Sequence, residues 1–215
     1  MLHTFRWTAD VLLLVLCLSP LACNSNVSRI DPEKSTLEPG DLLFQGSSGG
    51  KVSDAIEAVT EGLEGQEFSH VGMVVRIADT LAVVEAIGKG VQLTALADFM
   101  RRSPKVSARK VVPEHKALAQ RATDEALKYL GSPYDHAFLP DNGKLYCSEL
   151  VALAYESANG GVPVFEQTPM TFKDPSTGEF LETWVNYYQE LGIPIPEGVP
   201  GCNPGGISRS NILMP

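Results

Sequence analysis

The chain has 215 residues, 44% of them hydrophobic and 20% charged, with 26 acidic against 17 basic side chains and a formal net charge of −9. These proportions describe one globular domain with enough chain for a real core, and they disfavour disordered and multi-span membrane classes. The net acidity argues against nucleic acid and against docking through a polybasic surface.

The N-terminus is a region of its own. Arg6 precedes an unbroken apolar run from Val11 to Leu18, and Leu21-Ala22-Cys23 follows with small residues at its end. That pattern predicts a secretory signal over residues 1–22, too short to span a bilayer comfortably, and hence an exported protein of a bacterial cell envelope. Leu21-Ala22-Cys23 also resembles the end of a lipobox, although Pro20 stands where Leu is usual. A lipidated Cys23 would make the protein a membrane-anchored lipoprotein; without it, the protein would be periplasmic. Residues 23–38, rich in Ser, Asn, Pro and charge, read as a polar tether, and residues 39–215 as the folded domain.

Within that domain, Asp41 to Gln45 is a short strand candidate, followed by the loop Gly46-Ser47-Ser48-Gly49-Gly50 and a helix near Ser53 to Thr60. Strands over His70–Ile77 and Leu81–Ile87, joined by a turn at Ala78-Asp79-Thr80, should form a hairpin. Val91–Thr94 and Val106–Val112 are further strands, with an irregular or helical piece around Ala95–Arg102 between them. The longest helix signal runs from Pro113 to Gly131, with Leu118, Ala119, Ala122, Ala126, Leu127 and Leu130 on one face. Beyond Gly161 the chain is mostly Pro, Gly and polar residues, with one weak helical pattern over Gly178–Leu191.

The segment richest in chemistry is Tyr146-Cys147-Ser148-Glu149-Leu150-Val151. From Leu150 the apolar residues recur at Val151, Ala154, Tyr155 and Ala158, the spacing of a helix that buries one face, and Gly160-Gly161 ends it. Cys147 therefore falls on the first turn, where unpaired backbone N–H groups and the helix dipole favour a thiolate. The bland alternative is a small buried hydrophobe. Cys202 is the other cysteine of the mature body. The two could pair in an oxidising compartment, but Cys202 sits in a Pro/Gly-rich tail with no visible reason to meet a helix start.

A nucleophilic thiolate needs an imidazole, and the imidazole needs a polar group to orient it. His115 opens a helix and His136 lies in a loop, whereas His70 heads the apolar strand Val71-Gly72-Met73-Val74-Val75, with Gly72 allowing close approach. Glu85 interrupts the apolar run of the next strand, an expensive place for a carboxylate without a partner. The 15-residue gap suits a hairpin that sets the two side by side on one face. The plain alternatives are a hydrogen-bonded strand-end histidine and a carboxylate pointing to solvent.

In order, Gly40-Asp41-Leu42-Leu43-Phe44, Ser69-His70-Val71-Gly72, Val84-Glu85-Ala86, Tyr146-Cys147-Ser148-Glu149-Leu150-Val151 and Asn203-Pro204-Gly205 resemble the permuted papain-like amidases of the YaeF/YiiX type, relatives of NlpC-type cell-wall cysteine peptidases. The resemblance covers most of the mature chain. It implies an α+β, papain-like fold with a mainly antiparallel sheet packed against helices, in which circular permutation has placed the histidine before the cysteine. It further implies Cys147 as nucleophile, His70 as general base and then acid, and Glu85 as the orienting group, in a hydrolase that cleaves amides of cell-wall peptides or amino-acid conjugates through a thioester. The backbone N–H of Cys147 and the hydroxyl of Tyr134 or Tyr146 are candidate oxyanion donors.

Three other readings compete. Gly46-Ser47-Ser48-Gly49-Gly50 satisfies G-x-S-x-G and would make Ser48 a serine nucleophile, but that fold needs a larger parallel sheet than these hairpin spacings allow. A thiol acyltransferase or esterase would use the same three groups on lipid or acyl substrates. A catalytically silent envelope lipoprotein would use the same cleft only to bind. With no HExxH and no close cysteine pair, no metal or cofactor is expected.

Overall fold

The computed structural model describes residues 37–214; the expected signal segment, Cys23 and all but the last two residues of the expected tether lie outside them. Those two already belong to the fold, with Leu37 buried and Glu38 paired with Lys116. The architecture is α+β. Six antiparallel strands form one sheet in the order β4-β3-β2-β1-β5-β8, with β1 at Leu42–Gln45, β2 at His70–Ile77, β3 at Thr80–Ile87, β4 at Gly90–Ala95, β5 at Val106–Val111 and β8 at Leu213–Met214. Every neighbour pair in it is antiparallel, which sets this sheet apart from the parallel one a serine-hydrolase reading would need.

Strand alternation splits the sheet into two faces. One carries Leu42, Phe44, Val71, Met73, Val75, Val84 and Ala86, packed with the helices α3 (Lys116–Lys128) and α4 (Cys147–Ala158). The other carries Leu43, Val74, Val83 and Val106, covered by Phe99 from α2 (Leu96–Arg102), the segment whose form the sequence left open. The helix α1 (Lys51–Val59) follows the glycine-rich loop. The hairpin β2–β3 closes through Ala78 and Asp79, with Ala78 at φ 50°, the left-handed conformation that tight two-residue turns require.

Two expectations about helix faces are corrected. The long helix stops at Lys128, so Leu130 leaves its apolar stripe and is 41% exposed, while Leu118, Ala119, Ala122 and Ala126 are buried as the spacing predicted. The cysteine helix buries more than one face: every residue from Cys147 to Ala152, together with Ala154 and Tyr155, is buried, because the helix is wedged between the sheet and α3. Gly160 and Gly161 both take positive φ just beyond its end.

The Pro/Gly-rich tail is more ordered than its composition suggests. A two-residue ribbon pairs β6 (Thr168–Pro169) with β7 (Pro200–Gly201), α5 spans Glu182–Leu191 inside the weak helical pattern, and α6 spans Pro204–Ser208 with the Asn203 side chain capping Gly206 N–H at 2.7 Å.

Candidate active site

The hairpin register explains how His70 meets Glu85. Met73 pairs with Val84, and extending that antiparallel register by one residue sets Gly72 across from Glu85, so His70 and Glu85 are diagonal neighbours on one face. A side chain at position 72 would stand in the gap: a Cβ there would lie 2.5 Å from Val83 Cγ1, 3.0 Å from Phe99 Cε2 and 3.4 Å from Glu85 Cβ. Gly72 thus makes room for these side chains rather than for a substrate. Across it, His70 Nε2 and Glu85 Oε2 are 2.6 Å apart.

Glu85 is fully buried in the middle of an apolar strand, and its partners account for its being there. Besides His70, it accepts hydrogen bonds from Arg102 Nη2 on the same oxygen and from Thr94 Oγ1 on the other, each at 2.5 Å. Burial alone would raise its pKa, but the contacts to His70, Arg102 and Thr94 outweigh it and hold the carboxyl at about 2. Arg102 is steadied in turn over the Phe99 ring, 5.0 Å from its centroid, and that ring also lies 5.9 Å from the His70 ring. Neither Arg102 nor Thr94 was singled out from sequence. The one available signal was that a carboxylate inside an apolar strand demands a cation.

Cys147 opens α4 at the point where β2 begins. Its thiol lies within hydrogen-bonding reach of the His70 imidazole, and with Nε2 committed to Glu85, Nδ1 is the ring nitrogen left to face the sulfur. Burial opposes charge on both groups. The His70 hydrogen bond and charge, with backbone N–H groups of Val71 and Ser148, nevertheless bring the thiol below its usual range. The contacts to Cys147 and Glu85 lift His70 to about 9 in spite of burial. Both shifts act in the same direction, favouring negative charge on the sulfur and positive charge on the ring.

The loop that delivers Cys147 is folded around Asp135, whose fully buried carboxylate accepts from the backbone N–H of Ala137 at 2.8 Å and of Leu139 at 2.7 Å. Asp135 N–H also bonds Leu145 O, and Leu145 N–H bonds Pro133 O, closing the loop immediately before the helix. Phe138 at its tip holds φ 54°, uncommon for a bulky side chain, and packs its ring against Tyr146 and Trp184.

A cleft of about 210 Å³ opens on Cys147. Its walls are largely apolar, with Ile56 and Val59 from α1, Phe138, Met170 and Phe172, and Trp184 from α5; Arg209 and Glu61 supply charge. Cys202 lines it too, which corrects the expectation that the tail cysteine has no reason to meet a helix start. Its backbone N–H donates to Tyr146 Oη at 3.3 Å, and Ser148 Oγ donates to its carbonyl at 3.0 Å. Cys147 and Cys202 are both free thiols, so no disulfide joins them.

Tyr146 spends its hydroxyl on Cys202, whereas Tyr134 lies near enough to feel the charge on Cys147. Ser48 is exposed in its loop, and it is the following α1 rather than the loop that borders the cleft. His136 sits at the surface against Tyr187, whose hydroxyl donates to His136 O at 2.9 Å. Among the described residues no group of three His, Cys, Asp or Glu side chains is placed to hold a metal ion.

Comparison with known proteins adds to this geometry. Residues 36–211 match the family model described as "Permuted papain-like amidase enzyme, YaeF/YiiX, C92 family". A protein of Escherichia coli (strain K12) named "Uncharacterized protein YiiX" is 31% identical over 169 residues, which span 75% of this chain and 78% of that one. A crystal structure described as that of metalloprotein yiiX from Escherichia coli O157:H7 superposes with a TM-score of 0.67 at 27% identity, covering 82% of this chain and 94% of that one.

Proposed function

The chain belongs to the permuted papain-like amidase family, YaeF/YiiX, and from that premise we propose that it is a cysteine hydrolase that cleaves amide bonds through a thioester on Cys147. The observation that carries the reading is the contact chain from the Cys147 thiol to His70 to Glu85. The Cys147 thiolate attacks the substrate carbonyl. The oxyanion is met by the Cys147 backbone N–H, which as a first-turn donor has no acceptor within its own helix, and by the Tyr134 hydroxyl. His70 then passes its proton to the leaving amine as the tetrahedral intermediate collapses to the thioester. In the second half, neutral His70 takes a proton from water, hydroxide adds to the thioester, and the thiolate leaves. Glu85 keeps the ring oriented and stabilises its charge, with Arg102 and Thr94 fixing the carboxylate.

We assign the acyl part of the substrate to the cleft, which Cys147 lines and His70 does not, and the leaving amine to the imidazole side. Cell-wall peptides and amino-acid conjugates are the substrate class we assign. The apolar wall of Phe138, Phe172 and Trp184 favours a second reading, transfer or hydrolysis of acyl groups carried by lipids or esters. We place the protein in the cell envelope, exported and tethered through Cys23; labelling with a fatty acid that disappears in Cys23→Ala checks this.

The deciding experiment incubates the protein with envelope fragments and identifies the trapped adduct by mass. An acyl group on Cys147 derived from a peptide, with no adduct in His70→Ala, supports the amidase; an acyl chain from lipid supports the second reading. No adduct, with parent and His70→Ala behaving alike, would overturn both.

A further inference from the structure

The cleft beside Cys147 is apolar along most of its wall, and among its lining residues Arg209 is the one cation. Arg209 follows the short helix α6, which the Asn203 side chain and Pro204 at its first turn hold in place. Helix α6 is itself anchored to the body of the protein: Ser208 Oγ accepts from Leu63 N–H at 3.0 Å, and Gly205 packs so closely on the Glu61 carbonyl that a Cβ there would lie 2.7 Å from it. The arginine is therefore presented from a fixed support.

Among the described residues, Arg209 forms no ion pair, unlike Arg101 and Arg102, which are each matched to a carboxylate. Glu61 and Glu166 border the same wall or the adjoining hollow, yet neither is paired with it. Arg209 is exposed at the rim of the cleft, so an unpaired guanidinium stands next to a surface built for apolar groups, with Thr60, Thr168, Thr171 and Asn203 among its neutral polar lining. A planar guanidinium is suited to binding a carboxylate through two parallel hydrogen bonds.

We propose that Arg209 selects substrates whose acyl portion carries a carboxylate, held across the cleft from the thiol while the apolar remainder lies against Phe138, Phe172 and Trp184. This rests on the assignment of the acyl part to the cleft. Arg209 contributes to binding and not to the chemical step, so its loss raises KM for acidic substrates and leaves kcat nearly unchanged.

The test uses three probes that differ in the side chain of the acyl residue: benzoyl-glutamyl, benzoyl-glutaminyl and benzoyl-lysyl anilide. Their binding to Cys147→Ala protein is measured by calorimetry, so turnover does not intervene. The glutamyl probe should bind about tenfold more tightly than the glutaminyl one, the size of a partly screened charge-assisted contact. The preference should vanish in the additional variant Arg209→Gln and be partly retained in Arg209→Lys. Equal binding of the glutamyl and glutaminyl probes, tighter binding of the lysyl probe, no binding of any, or a preference that survives Arg209→Gln would each overturn the proposal. Hydrolysis of the same anilides by the unmodified enzyme is scored separately: its absence with the binding preference intact counts against the amidase and leaves the selectivity standing.

Discussion

Cys147 and Cys202 line one cleft, are equally buried and are both free, yet their surroundings drive them in opposite directions. Cys147 sits at a helix start with an imidazole and two backbone N–H groups directed at its sulfur, and its thiol is lowered. Cys202 sits in an extended segment whose nearby hydroxyls, from Ser148 and Tyr146, do not offset burial, and its thiol is pushed up to about 12. Burial is common to both. What separates the two thiols is the number and charge of donors around the sulfur.

The sharpest way to break this contrast is to alkylate the folded protein with iodoacetamide near pH 7. A thiol with a pKa of about 12 is ionised only to roughly one part in 10⁵, so Cys147 should react at least about 10³-fold faster, with Cys202 labelled only after unfolding. Comparable rates at the two thiols would show that the helix start and imidazole confer no advantage. His70→Ala should remove most of the difference, and peptide mass mapping reads both sites at once.

Next in size is the effect of Glu85→Gln. The carboxylate helps to lift His70 to about 9, so kcat/KM for the parent should lose its alkaline limb near that pH as the imidazolium gives up its proton. In the variant the limb should move to lower pH and the rate should fall by about 10² at its optimum, since the ring keeps a hydrogen-bond partner but loses its negative charge. The same groups shape stability. His70, raised in the folded state, contributes below its unfolded pKa and loses the contribution as pH climbs through 9; Glu85, lowered, contributes above its unfolded pKa and loses it as pH falls towards 2. An unshifted alkaline limb in Glu85→Gln would deny Glu85 its orienting and charge-stabilising role.

How much of this was visible beforehand follows from the range of each interaction. Glu85 and His70 could be paired on paper because a hairpin has a period of two and a short loop, so a 15-residue gap already encodes their proximity. The position of Cys147 on a helix start was equally local. Arg102 was not recoverable, because Arg101 and Arg102 end the same short helix and only the packed position of α2 decides that one turns to Glu85 while its neighbour pairs with Asp98. The cleft wall was hidden for a different reason. Ser148 and Tyr146 reach Cys202 across 54 and 56 residues, through ribbons two residues long that leave no periodic trace.

Gly72 tests the hairpin geometry itself, with a smaller effect. Gly72→Ala forces a methyl into contacts of 2.5 Å with Val83 and 3.0 Å with Phe99, and should lower stability by about 1–3 kcal/mol in denaturant unfolding. Because the same methyl meets Glu85 Cβ, activity of the remaining folded protein should fall as well. Full activity with unchanged stability would mean that the strand can shift without disturbing the carboxylate.

The smallest expected effect concerns Glu149, two residues beyond Cys147. It accepts a hydrogen bond from Tyr146 N–H at 3.4 Å, but burial and the nearby charges of Asp135 and Asp141 raise it to about 8. Charging this group therefore opposes the fold: its contribution is full below the unfolded pKa and declines as pH rises through 8. Glu149→Gln keeps an oxygen for Tyr146 N–H and removes the titration, so its thermal unfolding temperature should vary less than the parent's between about pH 5 and 8 and exceed it at the upper end. Since a carboxyl raised to about 8 carries little charge near pH 7, the same substitution should leave the Cys147 thiolate about as easy to form there. A slower alkylation rate in Glu149→Gln would show that the carboxylate acts on the sulfur through helix geometry rather than through charge.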